Sequence, residues 1–167
     1  MTMIVRARVF ATAAHAAVGQ VRKYTGEPYI VHPAEVAKIV TDAGGTEAMI
    51  CAAWLHDTVE DTGVTIETIR AEFGAEVAEL VGWLTDVSRP EHGNRAHRKA
   101  LDRAHSAAAP AEAQTVKLAD LIANTRSIME HDVAFARTYL EEKRLMLEVM
   151  TKGDSILMAE ARKYIGK

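Results

Sequence analysis

Apolar residues recur at helical spacing along almost the whole chain and predict about eight helices and no sheet. The first helix spans residues 3–19 and is ended by Gly19. Residues 20–32 break the rhythm, with Gly26 and Pro28 punctuating a turn, and a short hairpin fits near 24–31. Pro33 suits the opening of a helix that runs to Asp42. Gly44 and Gly45 interrupt it. Thr46 then caps a helix that carries His56, Asp57, Glu60 and Asp61 and stops before Gly63. Thr65 opens a short helix to Gly74, and Val77, Leu80, Val81 and Leu84 mark another over 75–86. After a loop from Ser88 to Asn94 come a basic helix over 95–107 and an apolar one from Pro110 to about Met129. An amphipathic helix over 133–150 and a last one over 154–165 follow. The fold class is all-α, a compact single-domain helical bundle over 1–167.

Composition narrows the partners. The 167 residues suit one core, and aromatics are only 5% of them, which favours helix packing over a sheet. Net charge is −3 and the sequence pI about 6.2, without the basic excess that extended nucleic acid demands. A small anionic ligand held by a local basic patch remains compatible. No apolar stretch approaches the ~18 residues of a membrane span, and the N-terminal arginines lie too deep for a signal peptide. A cytoplasmic location is expected, and nothing in the pattern fixes an oligomeric state. The lone cysteine, Cys51, lies in the apolar run AMICAAWL and reads as a small buried hydrophobe.

The chemistry concentrates in two segments. In WLHDTVED, residues 54–61, His56, Asp57, Glu60 and Asp61 fall within an arc of roughly 140° on a continuous helix. Burying three carboxylates unpartnered is costly, and a divalent cation satisfies several at once. In TVKLADLIANT, residues 115–125, Asp120 and Asn124 stand at i and i+4, with Lys117 one turn before. Alone, that segment also reads as a solvated stripe, and His32 alone as a structural histidine. Taken together, two imidazoles and two carboxylates make a mixed nitrogen and oxygen set for a six-coordinate first-row metal. Manganese and iron fit such a set, zinc is compatible, and an all-oxygen magnesium cage is not. Glu60 sits one turn beyond His56, where it can reach a water without being a ligand. Either Glu60 or Asp61 can take the proton. Arg95, Arg98, Lys99 and Arg103 share one face of the basic helix, read either as a phosphate clamp or as a solvated surface. Trp54 and Trp83 are expected in the core.

The stretches AHAAVGQVRKYTGEPYIVHPAEVAKIV, AAWLHDTVEDTGVT, FGAEVAELV with LTDVS, and VKLADLIANTRS resemble the hydrolase domain of RelA/SpoT-type alarmone enzymes. The small alarmone hydrolases, which include the metazoan SpoT homologue, are the closer match of the two. The resemblance runs from about His15 to the final helices. It implies an all-helical HD-type fold with one Mn²⁺ that removes the 3′-pyrophosphate of guanosine tetra- or pentaphosphate, leaving GDP or GTP. By that resemblance His32, His56, Asp57 and Asp120 are metal ligands, and Glu60 and Asp61 activate or orient the attacking water. Arg22 and Lys23 lie beside the nucleoside and Asn124 lines its pocket. Tyr139 lies near the ligand, and Arg98 or Lys99 near the phosphates. His15 is shared with the family and reads as structural.

Two departures bear on substrate choice. The family's bifunctional enzymes read KLADRLHN where this chain has KLADLIAN, so Leu121 and Ala123 replace an arginine and a histidine. The loop RKYTGEPY is one residue longer than their RKSGEPY. Two alternatives therefore stand beside alarmone hydrolysis. One is an HD phosphohydrolase acting on another nucleotide, such as NADPH at its 2′-phosphate or a nucleoside 5′-phosphate. The other is a non-catalytic nucleotide-binding module.

Overall fold

The structure, a computed structural model, describes residues 1–165. Among them are ten α-helices, one 3-10 turn and no strand. The chain folds as two compact units, Met1–Thr85 and Asp86–Lys167.

The first unit holds α1 (Met3–Ala17), α2 (Val31–Asp42), α3 (Glu47–Leu55), α4 (Thr58–Asp61), α5 (Ile66–Phe73) and α6 (Ala75–Leu84). Helix α3 is apolar on every side and lies at the centre, touching α1, α2 and α6. Ala48 through Ala53 and Leu55 are all buried. Met49, Ile50 and Leu55 each contribute roughly 2 kcal/mol by leaving water. Truncating Leu55, which is fully buried, to alanine would cost about 2–5 kcal/mol through the cavity left behind. Three threonines start these helices by accepting a backbone N–H on Oγ1: Thr2 from Val5, Thr46 from Met49 and Thr65 from Thr68. Gly45 is required between α2 and α3, because a Cβ there would stand 2.5 Å from Val40 Cγ1.

The second unit holds the 3-10 turn Pro90–His92, then α7 (Arg95–Ala108), α8 (Ala111–His131), α9 (Val133–Val149) and α10 (Ser155–Arg162). Helix α8 packs against α9 and α10, and α7 against α9. The middle of α8, Val116 through Ala123, is buried except at Lys117. Asn94, Asp132 and Asp154 cap α7, α9 and α10 through their side-chain oxygens.

The all-α class and most boundaries agree with the sequence pattern, and four details differ. The expected hairpin is a single antiparallel bridge between Val21 and Pro28. Helix α2 begins at Val31, placing His32 and Pro33 in its first turn, where a missing proline N–H costs nothing. The helix expected to run continuously through His56 and Asp61 is broken. α3 ends at Leu55, Asp57 takes φ −96° and ψ −3°, and α4 restarts at Thr58. Side chains take over the carbonyls there. His56 Nδ1 lies 2.7 Å from Ala53 O, and Thr58 Oγ1 donates to Leu55 O at 2.7 Å. Trp54 and Trp83, expected in the core, are half-buried.

Candidate metal centre

Three elements of the first unit bring His32, His56 and Asp57 together. His32 comes from the first turn of α2, His56 from the end of α3, and Asp57 from the break before α4. One ligand atom from each lies within 4.8 Å of the others, and both histidines are buried. Nε2 of His56 is 3.1 Å and Nε2 of His32 is 3.6 Å from the same oxygen, Asp57 Oδ2. The helix break creates this convergence, since a residue in the bridge region can turn its carboxylate back toward two imidazoles.

The surroundings favour metal ligation. A carbonyl only accepts, so the proton of a neutral His56 sits on Nδ1, bonded to Ala53 O, and Nε2 carries the lone pair. A lone pair facing a carboxylate oxygen is repulsive unless a proton or cation lies between them. Tyr29 donates its hydroxyl to Asp57 Oδ2 at 2.6 Å, which orients that carboxylate. Two imidazole nitrogens and a carboxylate oxygen form a borderline donor set that fits a first-row divalent ion.

The acidic pair follows directly. Glu60 is exposed on α4. Asp61 accepts from Gln20 Nε2 at 3.0 Å. Partial burial raises its carboxyl above the usual range; the Gln20 hydrogen bond opposes that rise, and nearby Asp57 adds to it. In the preceding loop, the Arg22 guanidinium lies 5.7 Å from the centre of the Tyr29 ring, and the exposed Lys23 ammonium 5.1 Å from that of Tyr24. Burial, reinforced by Glu47, pushes the Cys51 thiol up to about 11, in keeping with an inert core residue.

The remaining expected residues belong to the second unit. Asp120 is buried on α8, its Oδ1 accepting from Asn124 Nδ2 at 2.8 Å and its Oδ2 from Lys117 Nζ at 3.3 Å. Leu121 and Ala123, the two departures from the bifunctional pattern, are also buried, so they alter packing around α8 and leave the Asp120–Asn124 bond intact. The Tyr139 hydroxyl lies 3.5 Å from Leu121 O, and burial, with Asp120 nearby, raises the phenol above its ordinary range. Lys99, Arg103, Lys117, Tyr139 and Lys143 are among the residues lining a cavity of about 70 Å³. Arg98 is half-buried, with no hydrogen-bond partner for Nε among the described residues. Arg95 pairs with Glu142 through Nε at 2.6 Å and a second bond at 3.0 Å, so it is engaged within the unit.

Sequence reasoning passed over four residues. Tyr29 had a signal, standing one turn before His32. Gln20, which joins His15 to Asp61, had none. Neither did Asp102, a buried carboxylate inside a basic helix, nor Lys143, buried although it lies in the charged run EEKR.

Comparison with known proteins places the chain in a family. A model of the HD domain matches residues 7–146, and the chain belongs to the HD domain family. It is 43% identical over 129 residues to a probable guanosine-3′,5′-bis(diphosphate) 3′-pyrophosphohydrolase of Synechocystis, covering 75% of this chain and 17% of that protein. It is 41% identical over 103 residues to the guanosine-3′,5′-bis(diphosphate) 3′-pyrophosphohydrolase MESH1 of Xenopus tropicalis, covering 60% of this chain and 56% of that one. The chain thus spans under a fifth of the bacterial relative and just over half of the frog one. A solved metazoan ortholog of SpoT, itself a ppGpp hydrolase, shares the fold with a TM-score of 0.86 at 24% identity over 98% of this chain and 94% of that one. Among the described residues no helix is long and apolar enough to cross a membrane.

Proposed function

We propose that this chain is a Mn²⁺-dependent hydrolase that removes the 3′-pyrophosphate of guanosine tetra- or pentaphosphate, a small-molecule nucleotide substrate. The observation that carries the reading is the convergence of His32 and His56 Nε2 on Asp57 Oδ2, with Glu60 and Asp61 on the next helical turn. The pyrophosphohydrolase names of the Synechocystis and frog relatives support the substrate class. His32, His56 and Asp57 would hold the ion. Asp120 is assigned as a further ligand on the resemblance of its KLAD segment. When bound, the ion polarises the phosphoryl oxygen and lowers the pKa of water.

The chain's own residues supply the rest. Glu60 or Asp61 takes a proton from the attacking water. Water adds to the phosphorus attached to the 3′ oxygen, the bond between them breaks, and pyrophosphate leaves. GDP or GTP remains, its 3′ oxygen taking up a proton from solvent to restore the hydroxyl, while the carboxylic acid formed on the water's side returns one. Arg22 and Lys23 suit stacking on the base and contact with a phosphate. Lys99, Arg98, Asn124 and Tyr139 are the candidates for holding the rest of the nucleotide.

The test is turnover of guanosine tetraphosphate by Mn²⁺-loaded protein, with NADPH run alongside and products resolved. GDP with pyrophosphate, lost on chelation, is the expected result. Orthophosphate from NADPH with no attack on the alarmone would move the activity to another nucleotide.

A further inference from the structure

His15 and Gln20 stand outside the ligand set yet touch both sides of the centre. His15 is 1% exposed, in the last turn of α1. Its Nδ1 lies 2.8 Å from Gln20 Oε1, and Gln20 Nε2 lies 3.0 Å from Asp61 Oδ2. An amide has one accepting and one donating end. If His15 donates to Oε1, the NH₂ of Gln20 must face Asp61. Without that donor the amide could turn and present its oxygen to a carboxylate. The His15 ring also lies 4.7 Å from that of Tyr29, whose hydroxyl is bonded to Asp57. One buried imidazole therefore backs two side chains that each end on an acidic group.

We propose that His15 and Gln20 are positioning residues for hydrolysis: His15 sets the sense of the Gln20 amide, and Gln20 holds the Asp61 carboxylate in place for the attacking water. This inference rests on the hydrolase reading. A carboxylate that orients water must be held to a fraction of an ångström, and a small misplacement costs rate more than binding.

The variants are Gln20→Met, which keeps the bulk at a half-buried position and removes the amide, and His15→Phe, which keeps the ring and removes the donor. His15→Asn restores an N–H near the Nδ1 position. Steady-state hydrolysis of guanosine tetraphosphate is measured with Mn²⁺ content and the side-chain amide NMR signal of Gln20. Gln20→Met and His15→Phe are expected to lower kcat about tenfold or more, with KM within about twofold and metal content unchanged. His15→Asn is expected to recover most of the loss. The Gln20 amide signal should shift in Asp61→Asn and in His15→Phe. Equal loss in His15→Asn and His15→Phe, or unchanged kcat in Gln20→Met, would overturn the inference. If the unaltered protein hydrolyses no nucleotide, the hydrolase reading fails by itself. The amide signal then decides the relay, since a resonance indifferent to both substitutions would overturn it.

Discussion

The hydroxyl of Tyr29 donates to Asp57 Oδ2 at 2.6 Å, the same oxygen that His32 and His56 face. The tyrosine therefore holds a prospective ligand from behind, in the way outer-shell hydrogen bonds orient metal sites. Tyr29→Phe keeps the ring beside His15 and His32 and removes only this bond. Calorimetry should show Mn²⁺ binding weakened by about 10–100-fold. An unchanged affinity would mean that Asp57 needs no such support.

The two groups of carboxylate and imidazole should separate in mutants. His56→Ala removes an Nε2 donor, so metal and turnover should be lost together. Glu60→Gln should keep the metal and lower kcat by about 10²–10⁴-fold. Metal content measured beside rate distinguishes them, and equal metal loss in both variants would make Glu60 a ligand.

Lys143 should give stability an unusual dependence on pH. It is 1% exposed, its Nζ donates to Thr125 Oγ1 at 2.8 Å, and the Tyr164 ring lies 4.8 Å away. Burial depresses its pKa from 10.5 to about 8, against a smaller opposing effect of Glu160. Below pH 8 the lysine is charged in both states, and the folded state bears the cost of burying it. Between 8 and 10.5 only the unfolded chain keeps the proton, so this residue's contribution to stability rises with pH. The full difference is about 3 kcal/mol. Lys143→Met should therefore be more stable than the unaltered protein at pH 7, with the gap narrowing above pH 8 in urea titrations. A gap independent of pH would show that Lys143 does not titrate in this window.

Asp102 ties the loop before α7 to that helix. Its Oδ1 accepts from the backbone N–H of Val87 at 3.1 Å and of Ser88 at 2.9 Å, and its Oδ2 from the Ser88 hydroxyl at 2.8 Å. Asp102→Ala strands these donors and should cost about 2–4 kcal/mol in denaturant unfolding. Asp102→Asn, which keeps an acceptor for the two backbone groups, should cost less.

The sequence revealed the helices well because their signals are local. Thr46 and Thr65 cap where a threonine before an apolar run should, and α3 is buried because every side of it is apolar. His56 and Asp57 were legible as a pair, yet the break between α3 and α4 was not. It arises where the His56 ring and Thr58 hydroxyl take backbone carbonyls, a competition that apolar periodicity does not register. Lys143 was hidden for the opposite reason. Its neighbours in sequence are charged and look solvated, while its partners, Thr125 on α8 and the Tyr164 ring beyond α10, are distant along the chain. Gln20 was hidden because its meaning lies in two partners, His15 and Asp61, one of them far along the chain.

On the proposed function, phosphoryl chemistry requires a divalent ion bound at His32, His56 and Asp57. The direct measurement adds Mn²⁺ back to chelated protein while following bound metal and pyrophosphate release from guanosine tetraphosphate together. Turnover should rise in proportion to metal bound, level off at about one ion per chain, and be absent at every metal concentration in His56→Ala. Full turnover by the metal-free protein, or unimpaired metal binding and turnover in His56→Ala, would contradict the account.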